Sequence, residues 1–287
     1  MNVKFFNGFY FLFIIIAIII CLSLYFILRN KTKKTKYIIL LVIAFLNLGL
    51  HFAKLMFSPY KEDLPYSIRK VTGENICAFT TIVIPFILLF RKGEIIKNYF
   101  FFISFFGGLG ALLVPTEALG KYPFTFDIIR FYLCHTVLLI IPILLSALDL
   151  FRPNLKVLIY MPLMFIIVET LIFLNEFILY KVGYISQDLT SFFSANERNS
   201  SLIFGPIKEM KSFEFIFRVF VPDIFKINFF NFPVDGTFYM PVIWLIIPAY
   251  IYISLGYFVI CLIFNNKETR IILKKEKKIW FYQEYME

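Results

Sequence analysis

The chain has 287 residues, 60% hydrophobic and only 17% charged, with a mean hydropathy of +0.79. The apolar share exceeds the roughly 45–50% of soluble domains, which excludes an ordinary soluble fold. The net charge of +10 does not point to nucleic acid, because the basic residues cluster beside apolar runs, as topology signals and anionic-lipid contacts do.

The first apolar segment, residues 5–28, is too long for the core of a signal peptide, and no small-residue cleavage site follows. It is expected to be an uncleaved span. The loop RNKTKKTK (29–36) holds five basic residues and no acid. Segment two covers 37–57, followed by a mixed-charge loop over 58–74. Segment three covers 75–90 and ends at a second basic loop with Arg91, Lys92 and Lys97. Segment four, 98–119, carries Gly107, Gly108 and Gly110, which allow close helix contact, and Pro115 near its end. Segment five, 127–149, buries Arg130 and His135. Segment six covers 155–180 and segment seven 238–264.

Between the last two, 181–235 is expected to be a long outer loop, with an interfacial or re-entrant helix over 207–230. The tail, 265–287, is basic. The loops after segments one, three and five, together with the tail, hold 16 Lys and Arg. The opposite regions, mostly longer, hold 11. The expectation is an all-α polytopic membrane protein of one domain, with seven transmembrane helices in the cell membrane. Its N-terminus is outside and its C-terminus inside.

Under that topology nearly every ionisable group within the spans falls in the outer half, with Glu169 at about mid-span. A charge in a membrane span is costly and marks a candidate functional site. Asn47, His51 and Lys54 share one helix face, as do Glu74, Cys77 and Thr81. Glu169 and Glu176 are seven residues apart. Asp127, Arg130 and Cys134 share a face from which His135 is turned by about 100°. His51 and Lys54 either serve a site or form a polar pair bonded to Glu169. Glu117, Lys54 and Arg130 are expected to snorkel to the interface. The four cysteines, Cys21, Cys77, Cys134 and Cys261, lack CxxC spacing, so neither a metal site nor a cofactor is called for. Cys21 and Cys261 are expected to be packing residues. Cys77 and His135 enter from the same side on different helices, and together they offer a nucleophile and its base.

Three pieces sharpen this pairing: ENICAFTTIVIPFILLF (74–90), FFISFFGGLGALLVPTE (101–117) and IIRFYLCHTVLLIIPILL (128–145). Their order, spacing and placement of Cys77, Pro115 and His135 resemble the YwaF-like integral membrane protein family. The human transmembrane protein 164 acyltransferase belongs to the same broad family. The resemblance covers about 75–146. It implies seven helices and a Cys–His pair transferring fatty acyl chains between membrane lipids, with Cys77 as nucleophile and His135 as base. Asn75 stands where the bacterial pattern often has a His two positions before the Cys, and 181–235 does not align with the family. Two other readings stay open: a substrate-binding membrane subunit of a small-molecule transporter, and a structural membrane protein without catalysis.

Overall fold

The computed structural model describes residues 2–90, 93–185, 192–193, 201–206, 219–229, 231 and 237–284, with side chains of all but 64–66 and 276–284. The helices are α1 (Gly8–Leu28), α2 (Lys33–Ala53), α3 (Leu64–Val71), α4 (Ile76–Phe90) and α5 (Glu94–Leu113). They continue with α6 (Phe126–Ala147), α7 (Tyr160–Lys181), α8 (Ile246–Phe264) and α9 (Asn266–Glu284). No strand occurs among the described residues.

Local chemistry sets the boundaries. The Asn7 and Thr32 side chains accept backbone N–H bonds at the starts of α1 and α2. Because Thr32 caps there, α2 begins four residues before the expected 37 and absorbs three lysines of the basic loop. Gly93, at φ 80°, precedes α5, which runs Glu94–Leu113 rather than 98–119. Single 3-10 turns at Lys54–Met56, Leu155–Val157 and Ile243–Leu245 occupy helix flanks that were expected to be continuous helix.

Six helices are long and apolar enough to cross a membrane among the described residues: α1, α2, α5, α6, α7 and α8. The third expected span, α4, has only 15 residues. At a rise of about 1.5 Å per residue it covers roughly 22 Å, short of a hydrocarbon core of about 30 Å. The loop 58–74 is also more ordered than expected, since it contains α3 and a 3-10 turn at Tyr60–Glu62. Of the expected interfacial helix over 207–230, residues 207–218 and 230 lie outside the described residues. The part at 219–229 holds only a 3-10 turn, Asp223–Lys226.

The bundle is built around α6. Of its most apolar window 67% is buried, against 17% for α1, so α6 is the axis and α1 a peripheral helix. Helix α5 packs along α6 more extensively than any other pair, with α2, α4 and α1 on further sides. Two prolines lie inside helices, Pro85 in α4 and Pro142 in α6. A proline cannot bond the carbonyl four residues back. For Pro142 that carbonyl is Leu138, and the buried Ser104 of α5 donates its hydroxyl to it at 2.6 Å.

Candidate functional site

Four helix ends meet at one pole of the bundle: the C-terminal ends of α2 and α5 and the N-terminal ends of α4 and α6. The cavity between them has a volume of about 220 Å³. Of the residues singled out in the sequence, His51, Lys54, Asn75, Cys77, Thr81, Glu117, Arg130 and His135 line it. Asn47, Glu169 and Glu176 do not.

Cys77 is the second residue of α4. Asn75 caps that helix, its Oδ1 accepting the Ala78 N–H at 2.9 Å and its carbonyl the Phe79 N–H at 2.8 Å. Ser201, from the chain beyond α7, accepts the Ile76 N–H at 3.1 Å. Three of the four first-turn amides are thereby served. The fourth, on Cys77 itself, has no protein partner among the described residues. The thiol therefore sits where the helix dipole favours negative charge, beside an unengaged N–H. Thr81 faces the same cavity, but its hydroxyl is bonded to the Cys77 carbonyl at 2.8 Å.

His135 approaches from α6. Its Nδ1 lies 2.8 Å from the Phe131 carbonyl. A carbonyl only accepts, so Nδ1 carries the proton, and in the neutral ring Nε2 is the basic nitrogen. No side chain or backbone group among the described residues bonds that Nε2. Cys134, a helical neighbour of His135, also lines the cavity but is more deeply buried.

Glycines bring the two groups together. A Cβ added at Gly107 would lie 3.2 Å from the Cys77 sulfur. A Cβ at Gly108 would lie 2.6 Å from the Leu139 nitrogen and 2.7 Å from the His135 carbonyl. Bare backbone on α5 thus lets α4 and α6 close in on both sides. At Gly110 there is open space, and this residue lines the cavity.

The wall opposite is cationic. Lys54 is buried and donates to the Lys70 carbonyl, while His51 Nε2 donates to the Val71 carbonyl at 3.0 Å. The expected pairing of His51 and Lys54 with Glu169 is therefore absent. Both side chains instead hold the C-terminal turn of α3, and Glu169 Oε2 is buried with no hydrogen-bond partner among the described residues. Arg130 does not snorkel either. It is 7% exposed and donates to Asp127 Oδ1 at 2.8 Å and to the Tyr60 hydroxyl at 3.2 Å. Lys54 Nζ and the Arg130 guanidinium each lie 5.7 Å from the centre of the Tyr60 ring, within cation–π range. Glu117 is exposed at the cavity edge, as an interfacial residue would be.

Periodicity missed Tyr60 and Lys70, which lie in the stretch expected to be a loop, whereas Glu74, on the expected face of Cys77 and Thr81, lines the cavity with them. Glu74 is buried and pairs with Lys70 at 2.8 Å and Arg69 at 3.4 Å. Arg69 also reaches Glu176 on α7 at 3.2 Å. Glu176 thus serves the site at one remove, by anchoring α3. Asn47, one turn before His51, is buried with neither amide atom bonded among the described residues.

The arrangement offers a thiol at a helix N-terminus, an imidazole with one nitrogen unbonded among the described residues, and two buried cations. Sites that enclose a whole small molecule usually measure roughly 300–1,000 Å³. A cavity of about 220 Å³ has room for a headgroup or an ester, but not for acyl tails. Searches among curated proteins and among solved structures return no match. The TMEM164 family model matches residues 5–210, a stretch that contains every residue of the cavity, and the chain belongs to the TMEM164 family of membrane proteins.

Proposed function

We propose that this chain is a membrane lipid acyltransferase working through an acyl-thioester on Cys77. One observation carries the reading: Cys77 and His135 line the same cavity from two different helices, and no group among the described residues bonds His135 Nε2. In the first half-reaction Nε2 takes the thiol proton and the sulfur attacks the ester carbonyl of a donor lipid. The ester C–O bond breaks, and the imidazolium returns the proton to the departing lysolipid oxygen. In the second half a lysolipid hydroxyl gives its proton to Nε2 and attacks the thioester carbonyl. The C–S bond breaks and the proton returns to sulfur. Water in place of the acceptor gives hydrolysis instead.

The Cys77 N–H would donate to the tetrahedral oxyanion. Lys54 and Arg130 would hold an anionic headgroup, with Asn75, Thr81, His51 and Glu117 supporting the walls. No cofactor enters these steps, and the partners are membrane lipids. The acyl tails would lie in the bilayer beside a cavity too small to enclose them.

In the same reading α4 is a seventh, shortened crossing of the cell membrane. Its N-terminus meets a polar cavity instead of hydrocarbon, so about 22 Å of helix suffices. The N-terminus and the 181–235 loop lie outside and the 265–287 tail inside.

The test uses purified protein in vesicles with a fluorescent donor lipid and a lysolipid acceptor. Cys77→Ala and His135→Ala are each expected to abolish transfer, and Cys77→Ala to end labelling by an acyl-mimetic thiol probe. Full transfer by Cys77→Ala would sink the nucleophile assignment.

A further inference from the structure

The pole opposite the Cys–His cavity holds a second and larger cavity of about 590 Å³, bounded by α2, α4, α5 and α6. The two cavities share no lining residue. The interior is apolar, walled by Ile84, Leu88, Phe100, Phe101, Ile141 and Leu145. The rim is basic. Lys33 and Lys34 are exposed in the first turn of α2, and Lys97 in the first turn of α5 stands half-buried beside them. Among the described residues Asp149 is the one acidic residue lining the cavity, and Arg152 pairs with it at 2.5 Å. Two helix N-termini, α2 and α5, also point to this end, and their dipoles favour an anion there.

We propose that this cavity holds an anionic phospholipid, with its phosphate on Lys33, Lys34 and Lys97 and one acyl chain between Phe100, Phe101 and Ile141. The volume lies within the roughly 300–1,000 Å³ of small-molecule sites, unlike that of the Cys–His cavity. The apolar walls disfavour a free polar anion, since burying a polar group without partners is costly. The lysines disfavour a zwitterionic lipid, since each basic side chain near an anionic lipid surface contributes to attraction. With its phosphate at the rim, the lipid's ester stands near Lys97, ten residues and roughly 15 Å along α5 from the Gly107 that touches Cys77, so the occupant is a resident lipid and not a substrate. It would seal the space between the four helices and favour insertion in membranes rich in anionic lipid.

The experiment measures lipid retention on the full chain in nanodiscs by native mass spectrometry, with phosphatidylglycerol against phosphatidylcholine of identical chains. Inorganic phosphate is the chain-free control. The wild type is expected to retain phosphatidylglycerol preferentially and to bind no phosphate. The triple variant K33Q/K34Q/K97Q removes the rim charges, and its thermal unfolding in detergent is read beside retention, so that loss of the lipid from a folded chain is told apart from loss of the fold. It should weaken retention by roughly tenfold or more, given the contribution of three lysines. A phosphatidylglycerol carrying a photoreactive group in its acyl chain should crosslink to peptides spanning 84–101 and 141–151. Equal retention of the two lipids, retention unchanged in the triple variant, or crosslinks confined to the outer face of α1 would each overturn the proposal. None of these readings depends on acyl transfer, so failure of the Cys77 assignment leaves this test intact.

Discussion

Gly107 on α5 lies directly against the thiol of Cys77 on α4, so that a Cβ placed there would meet the sulfur at 3.2 Å. This is tighter than ordinary contact but short of a hard clash, and the single atom it meets belongs to a side chain with one rotatable bond. Gly107→Ala is therefore expected to turn the thiol to another rotamer. Folding stability should change by less than about 1 kcal/mol, since alanine's higher helix propensity offsets the crowding. Thiol-probe labelling and acyl transfer should fall together. A variant with wild-type labelling would show that the thiol orientation does not depend on this contact.

Gly108→Ala should behave differently. The added Cβ would meet backbone, at 2.6 Å from the Leu139 nitrogen and 2.7 Å from the His135 carbonyl. Backbone cannot rotate away, so α5 and α6 must separate, at a cost of about 1–3 kcal/mol by analogy with overpacked cores. Glycine to alanine inside an unobstructed helix would instead stabilise by about 1 kcal/mol. Thermal unfolding in detergent separates the two, and a raised Tm in Gly108→Ala would refute the close packing of α5 on α6.

Asn75 caps the helix that carries Cys77. Asn75→Ala is expected to lose about 1 kcal/mol, and Asn75→Asp or Asn75→Ser to retain most of it, because each keeps a side-chain oxygen for the Ala78 N–H. The same order should appear in thiol labelling, since fraying the first turn displaces Cys77. Equal stability of the alanine and serine variants in chemical unfolding would argue that the cap contributes nothing.

Among the described residues Arg130 is the most buried cation whose partner is a carboxylate, at 7% exposure and 2.8 Å from Asp127. Removing one member of such a pair leaves the other uncompensated, and Arg130→Met is expected to cost about 3–5 kcal/mol, less whatever Lys121 and Tyr60 still supply to Asp127. The double variant Arg130→Met/Asp127→Asn should recover part of that loss, because no charge is then stranded. If the double variant unfolds at the same temperature as Arg130→Met alone, the pair is not what stabilises this corner.

Much of the site was legible because helical periodicity is a local property. The i, i+4, i+7 spacing of Asn47, His51 and Lys54 placed them on one face, and two of the three do line the cavity. The small residues of α5 signalled a close approach, and Gly107 and Gly108 make it. What periodicity cannot carry is the partner across space. Glu169 and Arg130 show this. From the sequence alone, pairing with Glu169 was one of two open readings for His51 and Lys54, and Arg130 looked like a snorkelling cation. The folded chain gives His51 and Lys54 to the backbone of α3 and buries Arg130 on Tyr60 and Asp127. Helix α3 lies in a short polar connection with no apolar run to announce it, so nothing local predicted that it would supply those carbonyls.

The sequence by itself determined that this is a multi-helix membrane protein and that its ionisable groups gather toward one side. Hydrophobic run length and charge placement answer to the bilayer, and both are written residue by residue. Only the tertiary structure decided that α6 is the axis. The shared cavity of Cys77 and His135 was likewise decided there. It depends on how closely α4 and α6 approach α5, and that distance is set by two missing side chains, at Gly107 and Gly108, acting against neighbours up to about thirty residues away in the chain.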